Sequence, residues 1–409
     1  MLVEEFNLKF GIKTLDDFDV KGKKVLVRVD INSTITRKEN KLMNLLRIEE
    51  LKVTLDALKE AAVVLIAHQG RPGGKDFTSL APHAEAMNKL YGKVKFVDDL
   101  YGSKAKDAIK SLKSGEVLVL ENVRFYAEEV KLKDDVDKMA GSHMVQELAP
   151  LFDLYVNDAY GAAHRSAPSL IGFTKVLPSC MGKILEREVE TMEENILGAA
   201  QKPVIFVIGG AKVDTKFKVM KNLLENNKAD KILVCGLLQN IMLAGAGIEI
   251  GAINKKPIKK FDEYILTAKE IYDKYKDKIE LPVDLALNIK GERKEVGVNE
   301  LLSYPDDPSN DIGSKTIEKY KDIITKAGTV VANGPPGVFE VEPFHLGSKG
   351  LLEAMPKAKF SAVGGGEMGG YCQDLGIKIN FISTGGGAML DYLTGKKLPV
   401  IEALENAAK

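Results

Sequence analysis

Short runs of β-branched and aliphatic residues recur along the chain, separated by longer stretches in which apolar positions return every third or fourth residue. Apolar runs without alternation are what a strand buried on both faces requires, and the amphipathic stretches between them supply crossover helices. The pattern therefore predicts βαβ units and parallel sheets. In the first half, strands are expected over 24–29, 63–67, 94–97, 117–120 and 154–156; in the second, over 204–208, 232–235, 280–283, 330–332, 359–363 and 379–382. One core rarely organises 409 residues, so the expected fold class is α/β with two Rossmann-like, doubly wound domains. Between the halves, 182–198 carries Glu186, Arg187, Glu188, Glu190, Glu193 and Glu194 and is expected as an exposed inter-domain helix. The stretch 284–311, with Pro305 and Pro308, reads as an irregular surface connection.

Charge and composition narrow the functions this fold can serve. Lys plus Arg number 58 and Asp plus Glu also 58, so no general attraction to nucleic acid or acidic membranes is expected, and any cationic site has to be local. Cys180, Cys235 and Cys372 are odd in number and far apart, which suggests neither a disulfide framework nor a zinc site and suits a reducing cytoplasm. No run approaches the ~18 apolar residues of a membrane span, since even 237–253 is broken by Gln239, Asn240 and Glu249. Glu4 and Glu5 interrupt the start where a signal peptide would be apolar.

In open α/β sheets ligands bind beyond the carboxyl ends of the strands, so the residues just after each strand carry most information. In the first half these are polar and mostly cationic. Asp30 and Asn32 follow the first strand, His68 and Arg71 the second, Asn122 and Arg124 the fourth, and Asn157 and Asp158 the fifth, with His164 and Arg165 close behind. Arg47 opens the first crossover helix. Any one of these arginines alone reads as a surface ion pair, but their recurrence suits a small ligand with carboxylate and phosphate groups, whose planar anions guanidinium forks match. His83 and His143 show no such placement and read as plain core or surface histidines.

The second half uses glycine instead. Gly209-Gly210-Ala211-Lys212 follows a strand, Lys216 stands one helical turn further on, Asn333 to Glu340 follows another, and the triplets Gly364-Gly365-Gly366 and Gly385-Gly386-Gly387 follow two more. A lone glycine-rich loop is usually only a tight turn, whereas four at strand ends of one sheet suit a nucleotide whose phosphates meet helix amides and ammonium groups. The chain contains no G-x-x-x-x-G-K-[ST] and no protein-kinase signature set. Gly364, Gly366 and Gly369 satisfy G-x-G-x-x-G and so raise a dehydrogenase as a rival, but the next strand ends in Ser383-Thr384-Gly385 where a ribose-binding acid belongs.

Taken in order, these motifs are recognisable. Val27 to Asn32, Arg47-Ile48, His68-Gln69-Gly70-Arg71-Pro72, Glu121 to Phe125 and Asn157 to Arg165 are similar to the substrate-domain motifs of phosphoglycerate kinases. Gly209 to Val213, Leu281 to Asp284, Asn333 to Glu340, Val363 to Gly366 and Ser383 to Ala388 are similar to that family's nucleotide-domain motifs, so the resemblance runs through nearly the whole chain. It implies a kinase that moves a phosphoryl group reversibly between 1,3-bisphosphoglycerate and ADP, giving 3-phosphoglycerate and ATP, in line and after domain closure. By the same resemblance Asp30, Asn32, Arg47, His68, Arg71, Arg124 and Arg165 hold phosphoglycerate. Gly210, Lys212, Lys216, Asn333, Glu340 and the two glycine triplets are implied to hold the nucleotide with Mg²⁺, and Arg47 and Lys212 are expected to be the catalytic pair that clasps the transferring phosphoryl group. The implied domains are 1–181 for phosphoglycerate, 182–198 as the joining helix and 199–392 for nucleotide, with 393–409 packing back on the first.

The chain also departs from the common pattern of the family. Glu367 stands where an aspartate tied to the metal nucleotide is usual, which makes it a metal-linked candidate through a longer acid, and Met368 replaces a neighbouring Ser or Thr. Cys235-Gly236-Leu237-Leu238 replaces a more glycine-rich loop, Asp214-Thr215 differs from the usual order, and Ala332 replaces a common tryptophan. These changes resemble the archaeal branch of the family and leave the substrate motifs intact.

Overall fold

The computed structural model describes residues 9–36, 41–133 and 135–409, without the side chain of Glu367. The chain divides into two units, Met1–Val189 with Lys397–Lys409, and Glu190–Lys396.

The first unit is built on strands β1 (Lys24–Val29), β2 (Ala62–Ile66), β3 (Val94–Phe96), β4 (Val117–Val119), β5 (Leu154–Asp158) and β6 (Ser179–Met181). They pair in the order β3-β4-β2-β1-β5-β6, all parallel. Side chains alternate across the pleat, so Val25, Val27, Val63 and Leu65 face a layer that includes Ala84 and Met87 of α1 (Ala81–Tyr91). Leu26, Val64, Ile66 and Leu118 face the other way, against Ala105 and Ile109 of α2 (Ser103–Ser111). Each such fully buried aliphatic side chain contributes about 1.5–3 kcal/mol of transfer free energy. That is why these strands read as continuous apolar runs in the sequence.

The expectation of an exposed helix over 182–198 is not met. Residues Lys183–Glu190 form α3, which runs on into a wider π-helical stretch at Thr191–Gly198. Ile184, Leu185 and Val189 are buried, and Glu188 is fully buried with them. Glu186 is retained inside because Lys9 at 3.2 Å and Lys183 at 3.0 Å neutralise it. Asp158, at the end of β5, accepts the amides of Ile184 and Leu185 at 2.8 and 3.0 Å and so caps the start of α3.

The second unit contains β7 (Val204–Ile208), β8 (Lys231–Val234), β9 (Ile279–Glu280), β10 (Asp284–Ile289), β11 (Glu292–Gly297), β12 (Ser309–Ile312), β13 (Thr329–Asn333), β14 (Phe360–Gly364) and β15 (Phe381–Ser383). The large sheet runs β9-β8-β7-β13-β14-β15, all parallel. Helices α4 (Val213–Glu225), α5 (Gly236–Gly245), α6 (Ser314–Thr325), α7 (Leu346–Ala354), α8 (Gly366–Asp374) and α9 (Gly386–Leu393) lie in the same unit. Among them, α6 and α7 press Ile317, Tyr320, Ile324, Leu351 and Leu352 onto Ile205, Val207, Val330 and Val363. Tyr320 also sets its hydroxyl 2.8 Å from the carbonyl of Glu280 and 3.0 Å from that of Val234, which satisfies the buried phenol.

The stretch expected as an irregular connection is instead a small antiparallel sheet, β11-β10-β12. Leu285, Leu287 and Val296 close over Leu243 and Ile250 in a cluster of their own. Asp284, at its start, accepts the amides of Lys315 and Thr316 at 3.0 and 2.8 Å and fixes where α6 begins.

The C-terminal helix α10 (Pro399–Ala408) belongs to the first unit. Its Val400 amide donates to the carbonyl of Ala163 at 3.3 Å, two residues before Arg165. Among the described residues no helix is long and apolar enough to cross a membrane.

Candidate active site

In the first unit the loops after β1, β2, β4 and β5 converge. Their positions are fixed by buried amide and acid side chains. Gln69 accepts the Ser33 amide at 3.0 Å and donates to the Ser33 carbonyl at 2.8 Å, tying the loop after β2 to the loop after β1. Asn122 donates to the carbonyls of Gln69 and Thr78, both at 2.8 Å, and accepts the Arg124 amide at 3.1 Å. His83, set aside on sequence grounds, is buried with Nε2 3.0 Å from Gln69, and burial pushes its pKa down to about 4. Its contact is with the loop, through Gln69. His143 is exposed and pairs with Glu128 at 3.0 Å.

On this frame a cavity of about 500 Å³ opens, and Arg28, His68, Arg71, Arg124 and Arg165 line it. Arg124 donates to the Gly70 carbonyl at 2.5 Å, which aims its fork. Four guanidinium groups around one cavity repel each other, and the cost is visible in the acidity of Arg124 and Arg165. Burial first, then Arg165 and Arg28, push Arg124 down to about 10, and Arg165 is likewise lowered, chiefly by burial. His68 is held well below the ordinary histidine value, first by burial and then by the charges of Arg28, Arg124, Arg165 and Arg47, so it is neutral at pH 7. Such a site has an unmet demand for negative charge.

Beside the cavity, Arg47 pairs with Asp30 at 2.8 Å and donates to the Asn32 carbonyl at 3.2 Å. Asn32 in turn accepts the Gly70 amide at 2.8 Å through its side chain. The structure thus brings Asp30, Asn32 and Arg47 together and places His68, Arg71, Arg124 and Arg165 around the cavity. Sequence reasoning missed Arg28, which is 1% exposed inside β1, and Glu129, which lies against the same cavity. The signal for Arg28 was a single arginine within the apolar run from Val25 to Val29; Glu129, next to Glu128, carried no signal at all.

In the second unit, four helices begin at the carboxyl ends of the large sheet. Helix α4 follows β7, α5 follows β8, α8 follows β14 and α9 follows β15, so the heads of these helices gather at one edge, with the first two amides of α5 taken by the carbonyls of Pro336 and Gly210. The loops touch backbone to backbone. A side chain on Gly386 would meet the Cα of Gly365 at 2.6 Å, and Gly365 itself has φ of 109°, so neither position admits another residue without strain. Gly210, at φ of 77°, donates its amide to the Pro335 carbonyl at 2.9 Å. Gly364, Gly366, Gly385 and Gly387 complete the two triplets at the starts of α8 and α9.

Lys212 is exposed at the head of α4, while Lys216, one turn on, is 3% exposed. The Lys216 ammonium lies 2.8 Å from the Asn333 carbonyl and also bonds the Asn333 side chain. Burial first, with help from Lys212, pushes its pKa down to about 7. Glu340 is exposed in the loop after β13. The side chain of Glu367, the metal-linked candidate, lies outside the described residues. Among the described residues there is no group of three or more His, Cys, Asp or Glu side chains that could hold a metal ion.

Known proteins resemble the chain throughout its length. Residues 15–396 match the family model for phosphoglycerate kinase. A phosphoglycerate kinase 2 of Methanosarcina acetivorans is 45% identical over 399 residues, 96% of this chain and 95% of the relative. The phosphoglycerate kinase of Methanothermus fervidus is 42% identical over 98% of both chains. The crystal structure of the phosphoglycerate kinase from Pyrococcus horikoshii superposes with a TM-score of 0.88 at 39% identity, over 96% of this chain and 98% of that one. With the two parallel sheets already in place, these matches establish that the chain belongs to the phosphoglycerate kinase family.

Proposed function

We propose that the first unit holds phosphoglycerate in the arginine-lined cavity and that the second holds ATP or ADP at the four helix heads. The observation that carries this division is the cavity itself, with four arginines and a neutral histidine around a space of about 500 Å³. Phosphoryl transfer between an acyl phosphate and ADP needs little acid or base help, because the attacking oxygen is already deprotonated. What the protein has to supply is charge and alignment.

Arg124 and Arg165, with Arg71, would hold the phosphate that is not transferred. Arg47, steadied by Asp30, would face the carboxylate and the group moving onto or off it. Lys212 would meet the terminal phosphate of the nucleotide, and the amides at the heads of α8 and α9 the phosphates behind it. Asn333 and Glu340 complete the nucleotide contacts. Mg²⁺ would arrive with the nucleotide, since it commonly binds through phosphates, waters and only one or two carboxylates, and it would neutralise phosphate charge there. By its position in the sequence, Glu367 is the acid we assign to that ion. In-line transfer further requires that both ligands come within reach of each other during turnover. Three buried, unpaired cysteines suit work in a reducing cytoplasm.

Replacing Arg124 or Arg165 by alanine should raise KM for phosphoglycerate roughly 10- to 100-fold, the worth of a charge-assisted hydrogen bond, and leave KM for ATP unchanged. Steady-state kinetics with each substrate varied in turn decides this; unchanged phosphoglycerate KM in both variants would remove the cavity from substrate binding.

Lys216 supplies a pH test. Its folded pKa of about 7 lies below the unfolded value, so in the free protein its burial costs most below pH 7, and that cost is relieved as pH rises toward the unfolded value. An anionic nucleotide beside it would raise its pKa again. Nucleotide binding at pH 8 should therefore take up close to one proton, and binding at pH 6 almost none. Calorimetry in buffers of different ionisation enthalpy measures the uptake, which Lys216→Met should abolish. The same uptake in that variant would mean that another group titrates.

A further inference from the structure

Arg28 is the most deeply buried cation of the cavity, and what it touches is ordered in a line. The Glu129 carboxylate accepts two hydrogen bonds from Ser169, one from the hydroxyl at 2.6 Å and one from the amide at 2.9 Å. With its proton committed to Glu129, the Ser169 hydroxyl can only accept from Arg28, whose Nε lies 2.9 Å away. Another Arg28 nitrogen donates to the Val29 carbonyl, which locks the guanidinium plane. A third, Nη2, sits 2.9 Å from Nδ1 of His68.

Guanidinium is always a donor, so Nδ1 of His68 has to accept, and the proton of the neutral imidazole must then sit on Nε2. Nε2 lies 3.4 Å from a guanidinium nitrogen of Arg165, and both residues line the cavity. Two donors at that separation do not bond each other, which leaves both to serve one acceptor in the cavity they line. We infer that Glu129 and Ser169 are positioning residues that act through Arg28 to fix the Nε2–H tautomer of His68, so that His68 and Arg165 present paired donors to one anionic group of the substrate.

This rests on the reading that the cavity holds phosphoglycerate, but the tautomer belongs to the free protein and can be seen without any ligand. Burial of Glu129 raises its pKa, and the charge of Arg28 is the largest influence opposing that rise, which is what a mutually dependent buried pair should show.

The test is long-range ¹H–¹⁵N correlation of the His68 ring in the intact free protein at neutral pH, together with kinetics of Glu129→Gln and Ser169→Ala. The wild-type ring should show a protonated Nε2 and a bare Nδ1. Both variants should lose this single tautomer and raise KM for phosphoglycerate roughly tenfold, the worth of one hydrogen bond to an anion, with KM for ATP unchanged. A wild-type His68 protonated on Nδ1, or on both nitrogens, would overturn the inference even if neither variant folds. So would folded variants that keep the Nε2–H tautomer, whatever their affinity. A wild-type protein with the expected tautomer but no affinity for phosphoglycerate would count against the substrate assignment and leave the positioning intact.

Discussion

Arg47→Ala is expected to lower kcat by ~10²-fold or more, in line with losing one donor to the transition state, while KM for either substrate changes far less. The reason lies in how Arg47 is held. One terminal nitrogen is fixed by Asp30 at 2.8 Å and by the Asn32 carbonyl at 3.2 Å, so the fork is aimed before any ligand arrives. Donors that need no reorganisation during reaction contribute most to it. Arg47→Lys keeps the charge but not the planar fork, and it should recover little of the loss. The ion pair is partly exposed, so stability should fall by only about 1 kcal/mol, and a thermal melt separates misfolding from lost chemistry. Turnover within a few-fold of wild type would take Arg47 out of the mechanism.

Lys212→Ala should cost ~10²-fold in kcat as well, from the nucleotide side. Lys212 is exposed at the head of α4 and makes no side-chain capping bond. Its removal should leave stability within about 0.5 kcal/mol, as for an ordinary surface substitution. Lys216 is the contrasting case. It is buried on Asn333, and Lys216→Ala would take the donor from the buried Asn333 side-chain oxygen, while the Asn333 carbonyl keeps the Gly209 amide, so structural and chemical losses would mix. A Lys212→Ala enzyme with full turnover would transfer the catalytic assignment to that inner lysine.

The parts of this molecule that could be read from sequence share a physical cause. Strands buried on both faces are largely apolar, so β1, β2, β7 and β13 announce themselves in spite of Arg28 in β1 and Asn333 in β13. The gathering of arginines after strand ends is also legible, because cations recurring at equivalent places of one sheet end up around the same cavity. The small antiparallel sheet was hidden by its turn. Lys290 and Gly291 join β10 to β11 with positive φ at both residues, 54° and 96°. A two-residue hairpin turn of that kind is usually signalled by Asn-Gly or Asp-Gly, and Lys-Gly gives no such signal.

The buried acids were hidden for another reason. Glu186, Glu188 and Glu129 look like solvated charge in one dimension, and only three-dimensional neighbours such as Lys9, Lys183 and Arg28 show why they are inside. The line from Glu129 to His68 joins residues from four separate stretches of chain, each bond short and each partner distant in sequence. Local patterning carries no trace of such contacts.

The most direct measurement is ATP consumption by the intact protein with 3-phosphoglycerate and Mg²⁺, coupled to reduction of the acyl phosphate formed, against a control with NAD and hydroxy acids but no ATP. The account predicts turnover only when phosphoglycerate, ATP and metal are present together, and none in the control. Nucleotide binding without phosphoglycerate-dependent turnover, or reduction of NAD in the control, would contradict it.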